Sequence, residues 1–368
     1  MRIQCEQSAL NLSLSLAGRA LSSRTPMPIL EGIYIEAQDQ TVRIMSTDLQ
    51  KGIETLLPAQ VIEDGVAVLP GRLFIEIARR LPEGIVEIAS DDTEATIDCA
   101  DFHTTLQTMD AQEFPPLPDT VSANPVFVRQ DALRDMIAQT VFAAAVNDTR
   151  LILTGVLLEI EADICRMVAL DGYRLALRQA SLPAQPGSLS AVAPAASLGE
   201  IAKILSGDEE DPAEITLTGS HLFVRVGHTK FVTRLLEGEF IRYRQILPVD
   251  WQTRILVNVR QMMQAIERAS TLAREGRNNL IRFSIDGSVL QIRSNSEIGN
   301  AQERVPIELE GKEIEIAFNA RYLADVFKNI DDEEAYLCFT TNVSPCIIRP
   351  VDGDHFLYLV LPVRIFTQ

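Results

Sequence analysis

Residues 128–179 read VRQDALRDMIAQTVFAAAVNDTRLILTGVLLEIEADICRMVALDGYRLALRQ, and this stretch decides the fold. Its first part has the period of one apolar helix face, formed by Leu133, Met136, Ile137, Thr140, Val141 and Ala144. After Asn147 the pattern changes to β-branched, strand-like runs, with a turn predicted at residues 161–163. The stretch therefore predicts a helix, an antiparallel hairpin, and an acidic turn that leads into a further strand.

The same plan occurs once before and once after this stretch. Residues 29–57 and 279–305 each contain three strand-like runs, joined by a polar turn and then by an acidic or amide-rich turn. The acidic turns are marked by Asp48, Asp171 and Glu297, which are 123 and 126 residues apart. Because solenoid units are only about 20–50 residues long, a repeat of this length predicts tandem domains.

A second helix also recurs, and it sets the number of domains at three. Its copies begin at Pro70, Pro194 and Phe318, at two intervals of 124 residues. Proline-containing segments at residues 113–125 and 236–251 break regular structure and are predicted to be linkers. The predicted domains are residues 1–121, 122–250 and 251–368.

The composition of the 368-residue chain is that of a globular protein, with 46% hydrophobic residues. No apolar run approaches the roughly 18 residues of a membrane span, and the N-terminus does not resemble a signal peptide. The five cysteines are odd in number and show no CxxC pairing. These features favour a cytoplasmic protein with free thiols, no metal site and no cofactor.

The net charge of −18 argues against simple adhesion to nucleic acid, because phosphate binding normally requires a basic patch. The charge is unevenly distributed, however. Six windows around the predicted helices carry a net +7 and the rest of the chain carries −25; the windows are residues 8–24, 70–81, 129–150, 195–206, 258–277 and 319–330. Composition alone explains this as well as a shared positive face does, so both interpretations stay open.

Four features resemble one known family: the three-fold repeat, DGYRLA at residues 171–176, EGEFIRYRQILP at residues 237–248, and LVLPVRI at residues 359–365. They are similar to the bacterial DNA sliding clamp family, the beta subunits of DNA polymerase III, over the whole chain. The resemblance implies an α+β fold with two helices on antiparallel sheets in each domain. It implies a head-to-tail dimeric ring whose helices line the central hole. The implied function is that of a non-catalytic DNA polymerase processivity factor, which encircles duplex DNA and slides along it.

The dimensions of α-helices support a dimer independently of the resemblance. Six helices, each about 10–12 Å across, would enclose a hole of roughly 9–11 Å, which is too narrow for a DNA duplex. Twelve helices would enclose a hole of roughly 28–34 Å, which accommodates a duplex and water. Such a heterologous interface, between the first and third domains, closes after two copies.

The resemblance implies DNA contacts at Arg24, Arg72 and Asn147, and at Leu151 and Ile152 next to them. Aromatic residues are frequent in relatives at the last two positions, and basic residues are common where this chain has Ala195 and Ala196. The lining is therefore expected to grip DNA more weakly than that of the relatives does. The alternative is that Arg24 and Arg72 are ordinary solvated arginines.

The resemblance also implies an apolar pocket between the second and third domains that binds a short apolar motif of partner proteins. The matching positions are Leu153, Leu170, Gly172, Tyr173, Arg174, Leu175, Ile241, Gln245, Ile246, Val360, Leu361, Pro362, Val363 and Arg364. Arg174 and Arg364 could donate hydrogen bonds to a bound peptide. The alternative is that Leu153, Leu175 and Ile246 are ordinary core residues, and that the C-terminal tail simply completes a sheet.

The ring joint implied by the resemblance places Thr104 and Leu106 of one copy against Thr271 and Leu272 of the other. The implied partners are double-stranded DNA, a second copy of the chain, the DNA polymerase III alpha subunit, the clamp loader and other proteins with the motif. No membrane partner is expected.

Two other classes of function compete with this interpretation. An enzyme is disfavoured because the chain lacks the GxxxxGK[ST], GxGxxG, HExxH and GxSxG motifs, and its four histidines show no ligand spacing. A monomeric scaffold that binds peptides without DNA would share the pocket but not the dimer.

Overall fold

The computed structural model describes residues 1–22, 25–119, 125–182, 188–206, 211–276 and 279–364. Within these ranges the fold is α+β, with two α-helices in each of three repeats. The helices are α1 (Gln7–Ala17), α2 (Gly71–Arg80), α3 (Gln130–Val141), α4 (Ala195–Ile204), α5 (Val259–Ala273) and α6 (Ala320–Phe327).

The strands follow the repeat. The first repeat contains β1 (Arg2–Glu6), β2 (Gly32–Gln38), β3 (Thr41–Thr47), β4 (Lys51–Leu57), β5 (Ala59–Glu63), β6 (Gly65–Pro70), β7 (Ile85–Ser90), β8 (Glu94–Cys99) and β9 (Phe102–Gln107). The second contains β10 (Val126–Val128), β11 (Gly155–Glu161), β12 (Ile164–Leu170), β13 (Arg174–Ser181), β14 (Ser188–Pro194), β15 (Ala213–Leu217), β16 (His221–Val226) and β17 (Thr229–Arg234). The third contains β18 (Thr253–Asn258), β19 (Leu280–Asp286), β20 (Val289–Ser296), β21 (Gly299–Pro306), β22 (Glu308–Gly311), β23 (Ile314–Asn319), β24 (Glu334–Phe339), β25 (Cys346–Pro350) and β26 (Phe356–Val360).

Residue contacts group the chain into two compact units, each with two sheets. The first unit consists of Met1–Arg134 and Glu200–Leu235, and the second of Asp135–Gly199 and Leu236–Gln368. The first unit holds a five-stranded sheet, β5-β1-β7-β8-β9, and an eight-stranded sheet, β10-β15-β16-β17-β4-β3-β2-β6. The second holds a nine-stranded sheet, β14-β11-β12-β13-β26-β25-β24-β18-β22, and a four-stranded sheet, β21-β20-β19-β23.

The two large sheets each join strands of consecutive repeats. In the eight-stranded sheet β4 pairs antiparallel with β17, and we call this pairing the first seam. In the nine-stranded sheet β13 pairs antiparallel with β26, and we call this pairing the second seam. Each seam therefore builds one continuous sheet from two repeats, and the backbone hydrogen bonds across it hold those repeats together.

The helices bury the apolar faces that their sequence pattern predicts. Leu10, Leu14 and Ala17 of α1 lie in one core with Phe74 of α2 and the inner faces of both sheets of the first unit. In α5, the side chain of Asn258 caps the first turn by accepting a hydrogen bond from the Gln261 amide at 3.0 Å. Burial of one stripe per helix is what the 3.6-residue period predicts.

The structure confirms the predicted turn at residues 161–163, where Ala162 has a positive φ of 53°. The third helix was predicted to run at least to Ala144, but it ends at Val141. Arg174 donates a hydrogen bond from Nη2 to the Phe142 carbonyl at 2.7 Å, so this carbonyl is taken by a side chain instead of a further helical turn. Residues 188–194 form β14, which pairs antiparallel with β11.

The helix windows used to estimate the charge were also too long. Within their observed bounds the helices contain eight basic and six acidic residues, so the predicted excess of seven was wrong. The difference arises because the windows also included charged residues that flank the helices in sequence.

Candidate functional site

Apolar side chains at the second seam form a buried layer, which we call the floor of the candidate site. Leu153, Leu170 and Leu175 belong to one cluster of buried side chains that also contains Leu359 of β26, and Ile241 of the linker packs against it. The pairing register explains this proximity, because Leu175 lies directly opposite Leu359. These buried side chains form the floor of the candidate site, and the more exposed side chains around them form its rim.

The turn that follows Leu170 forms one side of this rim. The Asp171 carboxylate accepts hydrogen bonds from the amides of Tyr173 at 2.9 Å and Arg174 at 3.0 Å, which closes the turn. Gly172 has a φ of +90°, in the left-handed region that favours glycine. The turn leaves the Tyr173 ring exposed, stacked on Tyr322 of α6 with ring centroids 5.9 Å apart.

Arg174 is buried below this turn, and all three of its guanidinium nitrogens have acceptors in the chain. Nε donates to Asp171 at 3.1 Å, Nη1 to Asp325 at 2.5 Å and Nη2 to the Phe142 carbonyl at 2.7 Å. The guanidinium also lies 4.8 Å from the centre of the Tyr322 ring. Arg174 thus connects the turn, α6 and the end of α3, which is the role of a positioning residue.

The C-terminal tail forms the opposite side of the rim. The Leu361 amide donates to the Tyr173 carbonyl at 2.8 Å, and the Val363 amide donates to the Ala317 carbonyl at 2.8 Å. The Val360 side chain is fully buried, whereas Leu361 and Arg364 are exposed and Pro362 is half-buried. The tail therefore both completes the sheet through β26 and presents side chains beside the turn.

The linker of residues 236–251 forms the third side of the rim. The Tyr243 hydroxyl donates to the Glu159 carboxylate at 2.7 Å, and Arg244 donates to the same carboxylate at 3.0 Å. Burial, and then the hydrogen bond to Glu159, raise the pKa of Tyr243 above its ordinary range, so the hydroxyl stays protonated and remains a donor. This anchor leaves Gln245 and Ile246 exposed at the rim.

Of the residues predicted to contact DNA, Arg24 lies outside the described residues. Arg72 is exposed on α2 and lines a groove of about 420 Å³ with Gly18 and Leu21 after α1. Arg79 lines the same groove and was missed by the sequence analysis. Its spacing of seven residues from Arg72, two turns on the same helix face, was the signal.

Asn147 and Leu151 lie together in a second, mostly apolar groove of about 820 Å³. Ala195 and Ala196 at the start of α4 line it as well, and they contribute no charge. Ile152 does not belong to this groove, because its side chain packs against the apolar floor of the second seam.

Two of the residues predicted for the ring joint lie at the edge of a smaller sheet, and the other two lie in a helix. Thr104 and Leu106 belong to β9, an edge strand of the five-stranded sheet. Thr271 and Leu272 lie in the last turn of α5, and Leu272 is next to Gly299, the first residue of β21. β21 is an edge strand of the four-stranded sheet.

In the part of the chain that the structure describes, no three His, Cys, Asp or Glu side chains are grouped so that they could hold a metal ion. No helix within the same ranges is long and apolar enough to cross a membrane. All five cysteines are buried free thiols, and burial raises the pKa of Cys5 and Cys165 to about 12.

Comparison with protein families gives matches along the chain in three segments. Residues 1–118 match the N-terminal domain of the DNA polymerase III beta subunit, residues 127–241 the central domain and residues 244–364 the C-terminal domain.

Relatives that align with this chain over its full length are also sliding clamps or DNA polymerase III beta subunits. The chain is 35% identical to the beta sliding clamp of Bacillus subtilis (strain 168). The alignment has 381 positions and covers 100% of both chains. The crystal structure of the Bacillus subtilis DNA polymerase sliding clamp superposes with a TM-score of 0.96 at 34% identity, also over 100% of both chains. A putative DNA polymerase III beta subunit from Eubacterium rectale superposes with a TM-score of 0.96 at 32% identity, over 99% of this chain and 100% of that one. The chain therefore belongs to the DNA polymerase III beta subunit family, the bacterial sliding clamps that act as DNA polymerase processivity factors.

Proposed function

We propose that two copies of this chain close head to tail into a ring that encircles duplex DNA and slides along it. The ring would consist of six domains, three in each copy, with boundaries near residues 1–121, 122–250 and 251–368. It would act in the cytoplasm as a non-catalytic subunit of the polymerase. Through the apolar site at the second seam it would hold the DNA polymerase III alpha subunit, the clamp loader and other proteins that carry the motif.

The main support for the proposed ring is that two strands lie at open sheet edges, where they could pair with a second copy of the chain. Both seams join the fourth strand of one repeat to the last strand of the next, β4 to β17 and β13 to β26. The strands left over by this rule are β21, the fourth strand of the last repeat, and β9, the last strand of the first repeat. Within the described ranges each is a sheet edge on which no further strand pairs. A third seam between two copies would pair these edges, which otherwise present unpaired backbone groups.

The two observed seams also predict the register of this third one. Lys51 lies opposite Thr233 in the first seam, and Arg174 lies opposite Val360 in the second. Lys51 and Arg174 each come three residues after the acidic turn residue of their repeat, at Asp48 and Asp171.

The position three residues after Glu297 is Asn300 in β21. In β9, Leu106 is the counterpart of Thr233, since each directly precedes the residue at the end of its strand. Leu106 of one copy is therefore expected opposite Asn300 of the other, with Thr104 opposite Gln302. This register agrees with a joint that contains Thr104 and Leu106.

Cysteine cross-linking tests the ring and its register together. Directly opposite residues of antiparallel strands have Cα atoms about 4.5–5.5 Å apart, a separation that a disulfide spans. The double variant Thr104→Cys, Gln302→Cys should therefore oxidise to a covalent dimer of twice the 40.7 kDa chain, whereas each single variant should not. A monomer in solution at micromolar concentration, with no cross-link in the double variant, would support the monomeric scaffold instead.

Retention on DNA tests encirclement. The exposed arginines of α2 would make weak, water-mediated phosphate contacts, and the ring itself would provide the hold. After loading, the protein should stay on closed circular DNA and be lost from the same DNA once it is linearised. Equal retention on both forms would contradict encirclement.

The peptide site is supported by exposed apolar side chains around a buried floor. Tyr173, Ile246 and Leu361 are exposed on three sides of the floor, so the aliphatic anchors of a motif would gain about 25 cal/mol for each Å² that they remove from water. Arg364 is the exposed cation able to donate to the peptide, while Arg174 positions the turn. Titration with a short QLxLF-type peptide should saturate at one peptide per chain, and failure to bind would contradict this role of the site.

A further inference from the structure

We propose that the peptide site extends along the end of the nine-stranded sheet as far as Trp251, where it takes an apolar side chain that lies outside the short motif. This inference rests on the proposed function of the second seam. The occupant would be an extended segment of a partner protein, continuous with the motif.

The strand ends place this extension beside the site. The strands β13, β26, β25, β24 and β18 are consecutive neighbours in the sheet. Leu361 follows β26, and its amide bonds to Tyr173 beside β13. Cys346 at the start of β25 pairs with Val360, so the turn before Cys346 comes next in the row. This turn carries Val343.

The row continues from that turn to the segment before β18. The Thr340 hydroxyl donates to the Asp250 carbonyl at 3.0 Å, and the Gln252 amide donates to the Phe339 carbonyl at 2.8 Å. These bonds hold the backbone on both sides of Trp251 against the end of β24. The rim of the peptide site, the Val343 turn and Trp251 therefore lie along one end of one sheet.

Large apolar side chains are exposed along this row. Val249 is 90% exposed, Val343 63% and Trp251 40%, and the row meets the exposed Ile246 and Leu361 of the site itself. Clusters of exposed apolar residues beside a binding site are typical of a continued interface, whereas single ones need no explanation.

Trp251 is also held in place. The Arg254 guanidinium lies 4.7 Å from the centre of the Trp251 ring and 4.4 Å from the centre of the Tyr336 ring. Arg254 in turn donates to Glu310 at 2.6 Å. An indole fixed in this way loses little conformational entropy when a ligand packs on it, which favours its use as an anchor.

The distance along the row sets the position of the extra side chain. From β26 to β18 there are three strand steps of about 4.8 Å, or about 15 Å in all. An extended peptide advances about 3.3 Å per residue, so the apolar residue would lie about five positions from the motif.

Trp251 is the single tryptophan of the chain, so its fluorescence reports directly on this contact. The probes are a QLxLF-type peptide without extension, and two longer peptides with a leucine five residues before or five residues after the motif. Each longer peptide has a twin with serine in place of that leucine. One leucine peptide should bind about tenfold more tightly than its serine twin and shift the Trp251 emission to shorter wavelength. If neither does, the inference is overturned.

Two variants test whether the preference for leucine over serine depends on Trp251. Trp251→Ala should reduce the tenfold preference for leucine over serine to about onefold, measured with labelled peptides. Val351→Ala should keep the preference, because Val351 is similarly exposed, at 38%, but follows β25 at the opposite end of the same sheet.

The outcomes separate this inference from the proposed function. If the peptide without extension fails to bind, the proposed peptide site itself is wrong. If that peptide binds and the leucine adds nothing, only the extension to Trp251 is wrong. An emission shift that depends on protein concentration without any peptide would identify a second copy of the chain as the occupant, and would also overturn the inference.

Discussion

The first and second seams are built from equivalent strands, and their backbones match closely. In the first, the Asp48 carboxylate accepts hydrogen bonds from two amides of its turn, just as Asp171 does in the second. The Arg234 amide bonds to the Gln50 carbonyl at 2.8 Å, the same bond that Leu361 makes to the Tyr173 carbonyl. Backbone geometry thus explains the acidic residue of the turn at Asp48 and at Asp171.

The side chains on these two backbones differ. Gly52 of the first seam occupies the position of Leu175 in the second. A Cβ on Gly52 would collide with Cδ2 of Leu117, a residue of the linker after the first repeat, and would lie 3.2 Å from Val232. The equivalent linker residue of the second seam is Tyr243, which reaches to Glu159 instead.

This difference explains why the chain would carry a peptide site at the second seam and not at the first. In the first seam the chain's own Leu117 covers the floor, and Arg234 is charged where the second seam has Leu361. In the second seam the linker is anchored to one side by Tyr243, and the apolar rim remains open to a partner. The backbone repeat fixes where a site can form, and a few side chains decide whether it does.

The largest expected effect comes from removing the cation of the second seam. Arg174→Ala leaves the carboxylates of Asp171 and Asp325 without their buried partner, which should destabilise the protein by about 3 kcal/mol. Lys51→Ala is the matched change in the first seam, where the Lys51 ammonium is 4.0 Å from Asp48, and should cost less than about 1 kcal/mol. Urea unfolding measures both. Equal effects would mean that the two turns are held in the same way.

The next effect tests the closure of the first seam. Gly52→Leu, which copies the second seam, should destabilise the protein by about 1–3 kcal/mol because Leu117 already fills the space. Adding Leu117→Ala should recover part of this loss, so a double-mutant cycle in urea unfolding should give a coupling energy of about 1 kcal/mol. Additive effects of the two changes would show that Leu117 does not close this seam.

Much of this architecture follows from local patterns. The acidic turns at Asp48 and Asp171 were predictable because a carboxylate that bonds amides two and three residues ahead is a local motif. The helix faces were predictable from their period. Arg79 could have been found by the same period, since it lies two turns after Arg72.

The rest depends on contacts between distant residues. The carbonyl of Phe142, just after α3, accepts a hydrogen bond from Arg174, which is 32 positions away in sequence. The strand β14 has a weak pattern of its own and forms because it pairs with β11 along its whole length. The closure of the first seam requires Leu117 to meet Gly52, and neither residue carries a local signal for that contact.

A smaller effect compares the binding surfaces directly. Leu361→Ala removes an exposed apolar side chain from the rim and should weaken binding of a QLxLF-type peptide about tenfold. Arg234→Ala changes the equivalent position of the first seam and should leave the affinity unchanged. Isothermal titration with both variants checks this, and a comparable loss in Arg234→Ala would indicate that the first seam also binds the peptide.

The smallest expected effect is a difference between variants of the two linkers in how protein stability depends on pH. Tyr243→Phe removes the hydrogen bond to Glu159, and Arg244 still faces that carboxylate, so the expected cost at pH 7 is about 1 kcal/mol. The pKa of Tyr243 is raised in the folded protein, so its contribution to stability is complete below the unfolded value of about 10. It declines as the pH rises from there toward the folded value, because the unfolded tyrosine loses its proton first.

The wild type should therefore lose stability between pH 10 and pH 11 more steeply than Tyr243→Phe, by at most about 1.4 kcal/mol per pH unit. Leu117→Ala changes the equivalent linker residue without altering an ionisable group, so it should keep the wild-type slope. Urea unfolding at a series of pH values measures all three proteins. Parallel slopes for the wild type and Tyr243→Phe would mean that the Tyr243 hydroxyl does not anchor the linker, and the open rim of the second seam would then need another cause.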